Sequence, residues 1–177
     1  MKTKDLVICG LFASMTAVLA QIAIPFPGGV PLTLQTLAMS LTGIILGSKR
    51  GFIAQSIYVL LGTIGMPIFA NFTGGLQIIV GPTGGFILSF PIMTYIIGYI
   101  CERKKSKSFT GLSIILGNIV NYFIGIIQFS FITKSTILQS FIYCVAPFII
   151  ADILKCLLAT AIGMKIKSNK SVEGVLN

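Results

Sequence analysis

Asp152 and Lys155 are the residues whose types and spacing most strongly suggest chemistry. They stand three positions apart within a long apolar run, from Ser135 to Met164, and helical residues at i and i+3 share a face. Charges within an apolar helix are costly unless they face protein or a polar cavity, and such residues usually serve a function. Pro147, just upstream, predicts a kink that could open the helix toward a ligand. The pair therefore predicts a polar binding site, with a self-neutralising structural pair as the alternative.

A glycine-rich cluster precedes another apolar run. It consists of Gly81, Pro82, Thr83, Gly84 and Gly85. If a helix begins here, its exposed N–H groups can receive an oxygen or a carboxylate of a ligand. Glycine and proline also mark ordinary turns, so a plain turn is the alternative.

Several uncharged polar side chains fall on the same predicted outer side as this cluster. They are Thr33, Gln35, Thr36, Asn71, Asn118, Asn121 and Tyr122. Each could bond a ligand, and each could equally bond a neighbouring helix. Gln35, Asn71, Asn118 and Tyr122 join the charged pair and the glycine cluster as candidate substrate-binding residues.

Most enzyme chemistry lacks its residues in this chain. There is no His, and the acids are Asp5, Glu102, Asp152 and Glu173, so we expect no metal, no cofactor and no enzymatic activity. An integral-membrane enzyme using Asp152 as a base, and a stand-alone carrier using the pair as a proton relay, are the rival interpretations. No G-x-x-x-x-G-K-[ST] motif occurs, so energy for any pumping must come from another protein.

The elements that must position these residues are transmembrane helices. Hydrophobic residues make up 55% of the 177 residues and charged residues 10%, with a mean hydropathy of +0.98, which is typical of a membrane protein. The charge-free intervals predict one all-α domain of six transmembrane helices, at about 5–24, 33–48, 51–66, 85–101, 109–132 and 137–165. A tight turn near Pro25 to Pro31 joins the first two, and an uncharged segment from Pro67 to Gly85 predicts a structured outer lid between helices 3 and 4.

The basic residues indicate the topology. One side receives Lys2, Lys4, Lys49, Arg50, Arg103, Lys104, Lys105, Lys107, Lys165, Lys167 and Lys170, whereas the other receives Lys134. The positive-inside rule therefore places both termini in the cytoplasm.

Because the basic residues lie between apolar runs, the net charge of +9 does not indicate nucleic-acid binding. A cleaved signal peptide at the first run is the alternative, but its removal would put the later basic clusters out of agreement with this topology.

The first helix carries small residues at three- and four-residue spacing. They are Gly10, Ala13, Ala17 and Ala20, and such a stripe lets another helix approach closely. The stripe could serve packing within the chain or docking of a second protein.

Four motifs together resemble one family: BioY, the biotin-specific substrate-capture subunits of energy-coupling-factor vitamin transporters. They are Pro31-Leu-Thr-Leu-Gln-Thr-Leu37, Leu61-Gly-Thr-Ile-Gly-Met-Pro67, Gly81-Pro-Thr-Gly-Gly85 and Pro147-Phe-Ile-Ile-Ala-Asp-Ile-Leu-Lys155, and the resemblance extends from about Met1 to Lys167. It departs at Ala151, where we expect glycine, and in the lack of Trp, so that ring stacking falls to residues such as Phe69, Tyr122 or Phe129.

The resemblance implies a six-helix subunit in a prokaryotic plasma membrane that captures biotin. It implies a membrane coupling protein and two cytoplasmic ATPases as partners, with Ala13 and Ala17 matching the family's docking face. Asp152 would accept from the ureido N–H groups of biotin and Lys155 would donate to the ureido oxygen. Related subunits share the six-helix plan, so another vitamin is the alternative ligand.

Overall fold

The computed structural model describes residues 3–26, 29–104 and 106–169. Its helices are α1 (Thr3–Ala20), α2 (Gln35–Thr63), α3 (Leu76–Ile79), α4 (Gly84–Arg103), α5 (Lys107–Thr133), α6 (Ile137–Cys144) and α7 (Ile149–Lys167), and strands β1 (Ala23–Ile24) and β2 (Leu32–Thr33) form an antiparallel pair. Lys2, Lys105, Lys170, Glu173, Pro27 and Gly28, used in the sequence predictions, lie outside the described residues.

Helix α2 doubles back at Gly47, whose φ of 80° and ψ of −172° are not helical. Gln55 Nε2 lies 3.2 Å from Thr42 Oγ1 although the residues are 13 positions apart, a separation of about 20 Å in a continuous helix. Two antiparallel arms, 35–46 and 48–63, therefore take the places of the second and third predicted helices. Five described helical stretches are long and apolar enough to span a membrane, and the hairpin in the second of them confirms six crossings.

Several helix ends differ from the predicted positions. Helix α1 ends at Ala20 instead of near residue 24, because Ala23–Ile24 pairs with Leu32–Thr33. The final helix is divided into α6 and α7 by a short 3₁₀ turn, Ala146–Phe148. Pro147 lies in this turn, because a proline has no backbone N–H to donate and therefore interrupts a continuous helix.

The described chain begins and ends at the same end of the bundle. Arg50 beside the α2 turn forms an ion pair with Asp5 of α1, at 2.8 Å. Lys167 Nζ near the end of α7 lies 3.5 Å from the carbonyl oxygen of Cys101 in α4. The predicted basic side gathers here, so the positive-inside rule makes this the cytoplasmic end.

Helix α4 lies between the α2 arms and α5, and glycines allow its close approach to both. A Cβ at Gly98 would lie 2.3 Å from the backbone carbon of Gly47, and one at Gly85 would lie 2.7 Å from the carbonyl oxygen of Ile124. Large apolar side chains cover the outer surface, including Phe131 and Ile150, as expected for helices surrounded by lipid.

The outer lid between Ile64 and Thr83 is structured, as predicted, and side chains from three other parts of the chain hold it. Gln21, just after α1, donates to the carbonyl oxygens of Ile68 and Phe69 and accepts from the N–H of Phe72 at 2.8 Å. Tyr58 donates to Ile68 at 3.1 Å. Gln128 of α5 donates to the carbonyl oxygens of Ile79 and Gly81, at 2.6 and 2.9 Å.

Candidate ligand-binding site

A cavity of about 240 Å³ lies beneath the lid at the outer end of the bundle. We call it the ligand cavity. Its walls come from the segment entering α2, the lid, and helices α4, α5 and α7. Its apolar surface includes Val30, Phe69, Phe86, Phe90 and Phe148. Its volume is slightly below the usual range for small-molecule sites, about 300 to 1,000 Å³.

The charged pair forms one wall of this cavity. Lys155 Nζ lies 2.8 Å from Asp152 Oδ1, and both side chains are about 90% buried. The i,i+3 spacing thus brings the two groups into contact on α7, at the inner side of the helix, one turn after the Pro147 break.

Thr36 and Tyr122 complete the polar wall. Thr36 Oγ1 donates to Asp152 Oδ1 at 3.1 Å and accepts from Lys155 Nζ at 3.1 Å. Tyr122 of α5 donates to Asp152 Oδ2. The carboxylate therefore receives donors from three helices, α2, α5 and α7, and it retains lone pairs that a ligand can use. An ammonium has three donors, and Thr36 and Asp152 occupy two of those on Lys155.

A second polar chain reaches the cavity through Gln35. Its Oε1 accepts from Thr33 at 2.9 Å and its Nε2 donates to Tyr58 OH at 2.7 Å. Because Tyr58 in turn bonds Ile68, this chain connects the start of α2 with the lid. Tyr58 is fully buried. Its bonds to Gln35 and Ile68 supply the hydrogen-bond partners that a buried hydroxyl requires.

The lid contributes Asn71 and Thr83 to the cavity lining. Asn71 has a left-handed φ of 58° and Phe72 one of 54°, a conformation that non-glycine residues adopt at some energetic cost. The bond from the Phe72 N–H to Gln21 holds this turn. The Gln21 bonds to the lid, which we call the Gln21 clamp, thus position Asn71 over the cavity.

The other glycine-cluster residues do not line the cavity. Gly81 and Pro82 lie outside it, and the Gly84 N–H already donates to the Gly81 carbonyl at 3.2 Å. A Cβ at Gly84 would lie 1.7 Å from the carbonyl oxygen of Ile79. Close packing of α4 against α5 and the lid therefore explains Gly84 and Gly85, and neither residue lines the cavity.

Asn118 and Phe129 also lie away from the cavity, contrary to expectation. Asn118 faces an apolar groove between α5 and α7 on the lipid side, which Tyr122 and Asp152 also reach. Phe129 packs in a small apolar core with Val145 and Phe148. Both residues lie near the same face of α5 as Tyr122, but Asn118 is about one turn closer to the cytoplasmic end and Phe129 about two turns closer to the outer end, so their height along the helix separates them from the cavity.

The predicted docking residues differ in position. Ala13 is buried in the protein's own core and Ala17 is partly buried against it, so both residues serve packing within the chain, and their role in docking stays a prediction. The exposed apolar face of α1 instead presents Val7, Leu11 and Val18.

Sequence reasoning missed Gln21, Tyr58 and Gln128. Their partners lie 10 to 49 positions away along the chain in the bonds to Ile68, Phe69 and Ile79, and isolated polar residues in apolar runs carry no signal that specifies such partners. Asn121, one of the polar residues on the predicted outer side, lines the cavity and donates to Ser89 Oγ at 2.6 Å.

The fold and the site define a multi-pass membrane protein with a ligand cavity under an outer lid. The description "BioY family" belongs to a family model that matches residues 1–171. The chain belongs to this family, and it is a multi-pass protein of the prokaryotic plasma membrane.

Named relatives agree with this assignment. A probable biotin transporter BioY of Pyrococcus horikoshii is 41% identical, over 96% of this chain and 99% of the relative. The biotin transporter BioY of Thermotoga maritima is 36% identical, over 93% of this chain and 96% of the relative. A crystal structure of the S-component for biotin from an ECF-type ABC transporter has the same fold, with a TM-score of 0.90, 24% identity and full coverage of both chains.

Proposed function

We propose that this protein captures biotin in the ligand cavity and serves as the substrate-specific subunit of an ATP-driven energy-coupling-factor transporter. The observation that carries the proposal is the buried Asp152–Lys155 pair, bonded by Thr36 and Tyr122, in a cavity with otherwise mainly apolar walls. The family and the relatives named as biotin transporters support the choice of ligand.

The ureido ring of biotin suits this polar wall. Asp152 accepts from ureido N–H groups, and the remaining donor of Lys155 reaches the ureido oxygen. The two charges stay paired when the ligand excludes water, so neither is left uncompensated. The aromatic side chains of Phe69, Phe90 and Phe148 cover the apolar sulfur ring.

The carboxylate tail of biotin extends toward the lid. Asn71 and Thr83 line that part of the cavity, and their side chains supply uncharged donors. Gln35 completes the polar surface between the two ends of the ligand.

Transport requires partners, since the sequence carries no P-loop. We propose that a membrane coupling component and two cytoplasmic ATPases supply the energy, and that the coupling component docks against α1 at its exposed face beside Ala17. The protein itself acts as a binder without a cofactor or catalysis.

Equilibrium binding of labelled biotin to the detergent-purified protein tests the proposal. Lys155→Met and Asp152→Asn should each raise Kd more than tenfold, about 1.4 kcal/mol. Lys165→Met, an exposed residue of the same helix, is the matched control and should bind as wild type. Excess riboflavin and thiamine should not compete.

Three results would change the proposal. Unaltered binding by both site variants would remove the pair from the site, and competition by another vitamin would replace the ligand. Uptake into vesicles that lack the coupling component and the ATPases would favour a stand-alone carrier.

A further inference from the structure

A second cavity lies at the opposite end of the bundle from the ligand cavity, and its volume is about 710 Å³. The α2 turn, the end of α4, the beginning of α5 and the end of α7 surround it. Because the basic residues mark this end as cytoplasmic, we call it the cytoplasmic cavity.

Its charged lining has an excess of cations. Lys49, Arg50 and Lys167 line the cavity together with one acid, Glu102. The Glu102 carboxylate accepts from the N–H and the hydroxyl of Ser48, both at 2.8 Å, and Arg50 pairs with Asp5. Within residues 3–26, 29–104 and 106–169, no ion pair involves Lys49 or Lys167.

Part of the lining is apolar. Ile44, Ile45, Leu46 and Met164 form it, and the first three belong to the buried arm of α2. The cavity thus combines two ammonium groups with apolar side chains at the cytoplasmic end of the bundle.

We propose that the cytoplasmic cavity binds an anionic phospholipid. Lys49 and Lys167 contact its phosphate, and an acyl chain lies against the apolar part of the lining, which includes the half-buried Met164. Basic pockets between transmembrane helices on the cytoplasmic side suit anionic headgroups. A free phosphate ion would use the cations but would leave the apolar part of the lining unfilled, which is why the lipid fits better.

Binding of short-chain phosphatidylglycerol to the purified full chain in neutral detergent micelles tests this site. The K49Q/K167Q variant should raise the apparent Kd about tenfold, since each basic residue near the membrane surface strengthens anionic-lipid binding several-fold. The matched control K107Q/K165Q removes two cytoplasmic charges that do not line the cavity, and it should change Kd less than about twofold. The charge-conserving K49R/K167R variant should bind as wild type, which separates loss of charge from loss of folding.

Each competing explanation has its own result. An equal loss of lipid affinity in K49Q/K167Q and K107Q/K165Q would show that the site is only a general basic surface, and it would overturn the proposal. Full displacement of the lipid by millimolar inorganic phosphate, or equal binding of phosphatidylcholine with the same chains, would also overturn it. So would unchanged lipid binding by K49Q/K167Q together with failure to assemble with the coupling component, because the cavity would then be a protein-docking surface.

Discussion

At the scale of single residues, Thr36 fixes the geometry of the charged pair. Its hydroxyl donates to Asp152 and accepts from Lys155, so it orients both groups at once. We expect Thr36→Val to raise the Kd for biotin about tenfold, because bonds to charged groups each contribute about 1.5 to 3 kcal/mol. Labelled-biotin binding measures the change.

Two threonine variants control for this effect. Thr36→Ser keeps the hydroxyl and should bind within about twofold of wild type. Thr63→Val removes a hydroxyl that bonds a carbonyl of its own helix and should leave binding unchanged. A Thr36→Val protein that binds as tightly as wild type would show that the pair orients itself without Thr36.

At the scale of elements, Gln21 connects α1 with the lid. It bonds Ala17 in α1 and three backbone groups of the lid. Gln21→Ala should therefore increase the dissociation rate of biotin about a hundredfold, since three lid bonds of about 1 kcal/mol each are lost. Stopped-flow dissociation against excess unlabelled biotin measures this rate.

Gln77→Ala is the matched control for the Gln21 clamp. Gln77 is an exposed glutamine of the same lid that bonds the neighbouring Gly74 carbonyl, so its variant should release biotin at the wild-type rate. Equal release rates from the two variants would assign lid closure to Tyr58 and Gln128 alone.

The hairpin in α2 depends on Gly47. Its φ of 80° disfavours other residues, and a Cβ would lie 2.1 Å from Glu102 Oε1. Gly47→Ala should lower the free energy of unfolding by at least about 1 to 3 kcal/mol, the range for a strained backbone. Gly111→Ala, where nothing lies within 4 Å of the added Cβ, should be neutral or slightly stabilising. Thermal unfolding in detergent compares the two variants, and equal melting temperatures would contradict this role.

The sequence was sufficient to predict the crossings and the charged pair, because each depends on local information. Charge-free runs determine spans, and i,i+3 spacing determines the contact of Asp152 with Lys155. It was insufficient for Gly84, Gly85 and Asn118, since whether each of them reaches the cavity depends on how α4, α5 and α7 pack. The connection between the second and third helices was predicted from the charge pattern. The bond from the Ser48 N–H to Glu102 that stabilises the hairpin at Gly47 was not, because it joins residues 54 positions apart.

At the scale of the whole molecule, the lid and the cytoplasmic cavity should lie on opposite sides of the membrane. Single cysteines at the exposed positions Gln77 and Ser108, in a chain without its native cysteines, test this arrangement. A membrane-impermeant maleimide should label Gln77→Cys in intact cells and Ser108→Cys only after permeabilisation. The reverse pattern would invert the topology.

The helices also differ in length around the molecule. The arm 48–63 spans about 24 Å and α1 about 27 Å, whereas α5, from Lys107 to Thr133, spans about 40 Å. The hydrocarbon core of a bilayer is about 30 Å thick, so hydrophobic mismatch has opposite signs on the two flanks. The bilayer must thin beside α1 and the arm 48–63, while α5 must tilt or meet a thicker layer. Membrane thickness therefore acts on the tilt of this protein, and lipid chain length becomes a variable that controls how readily it can reorient.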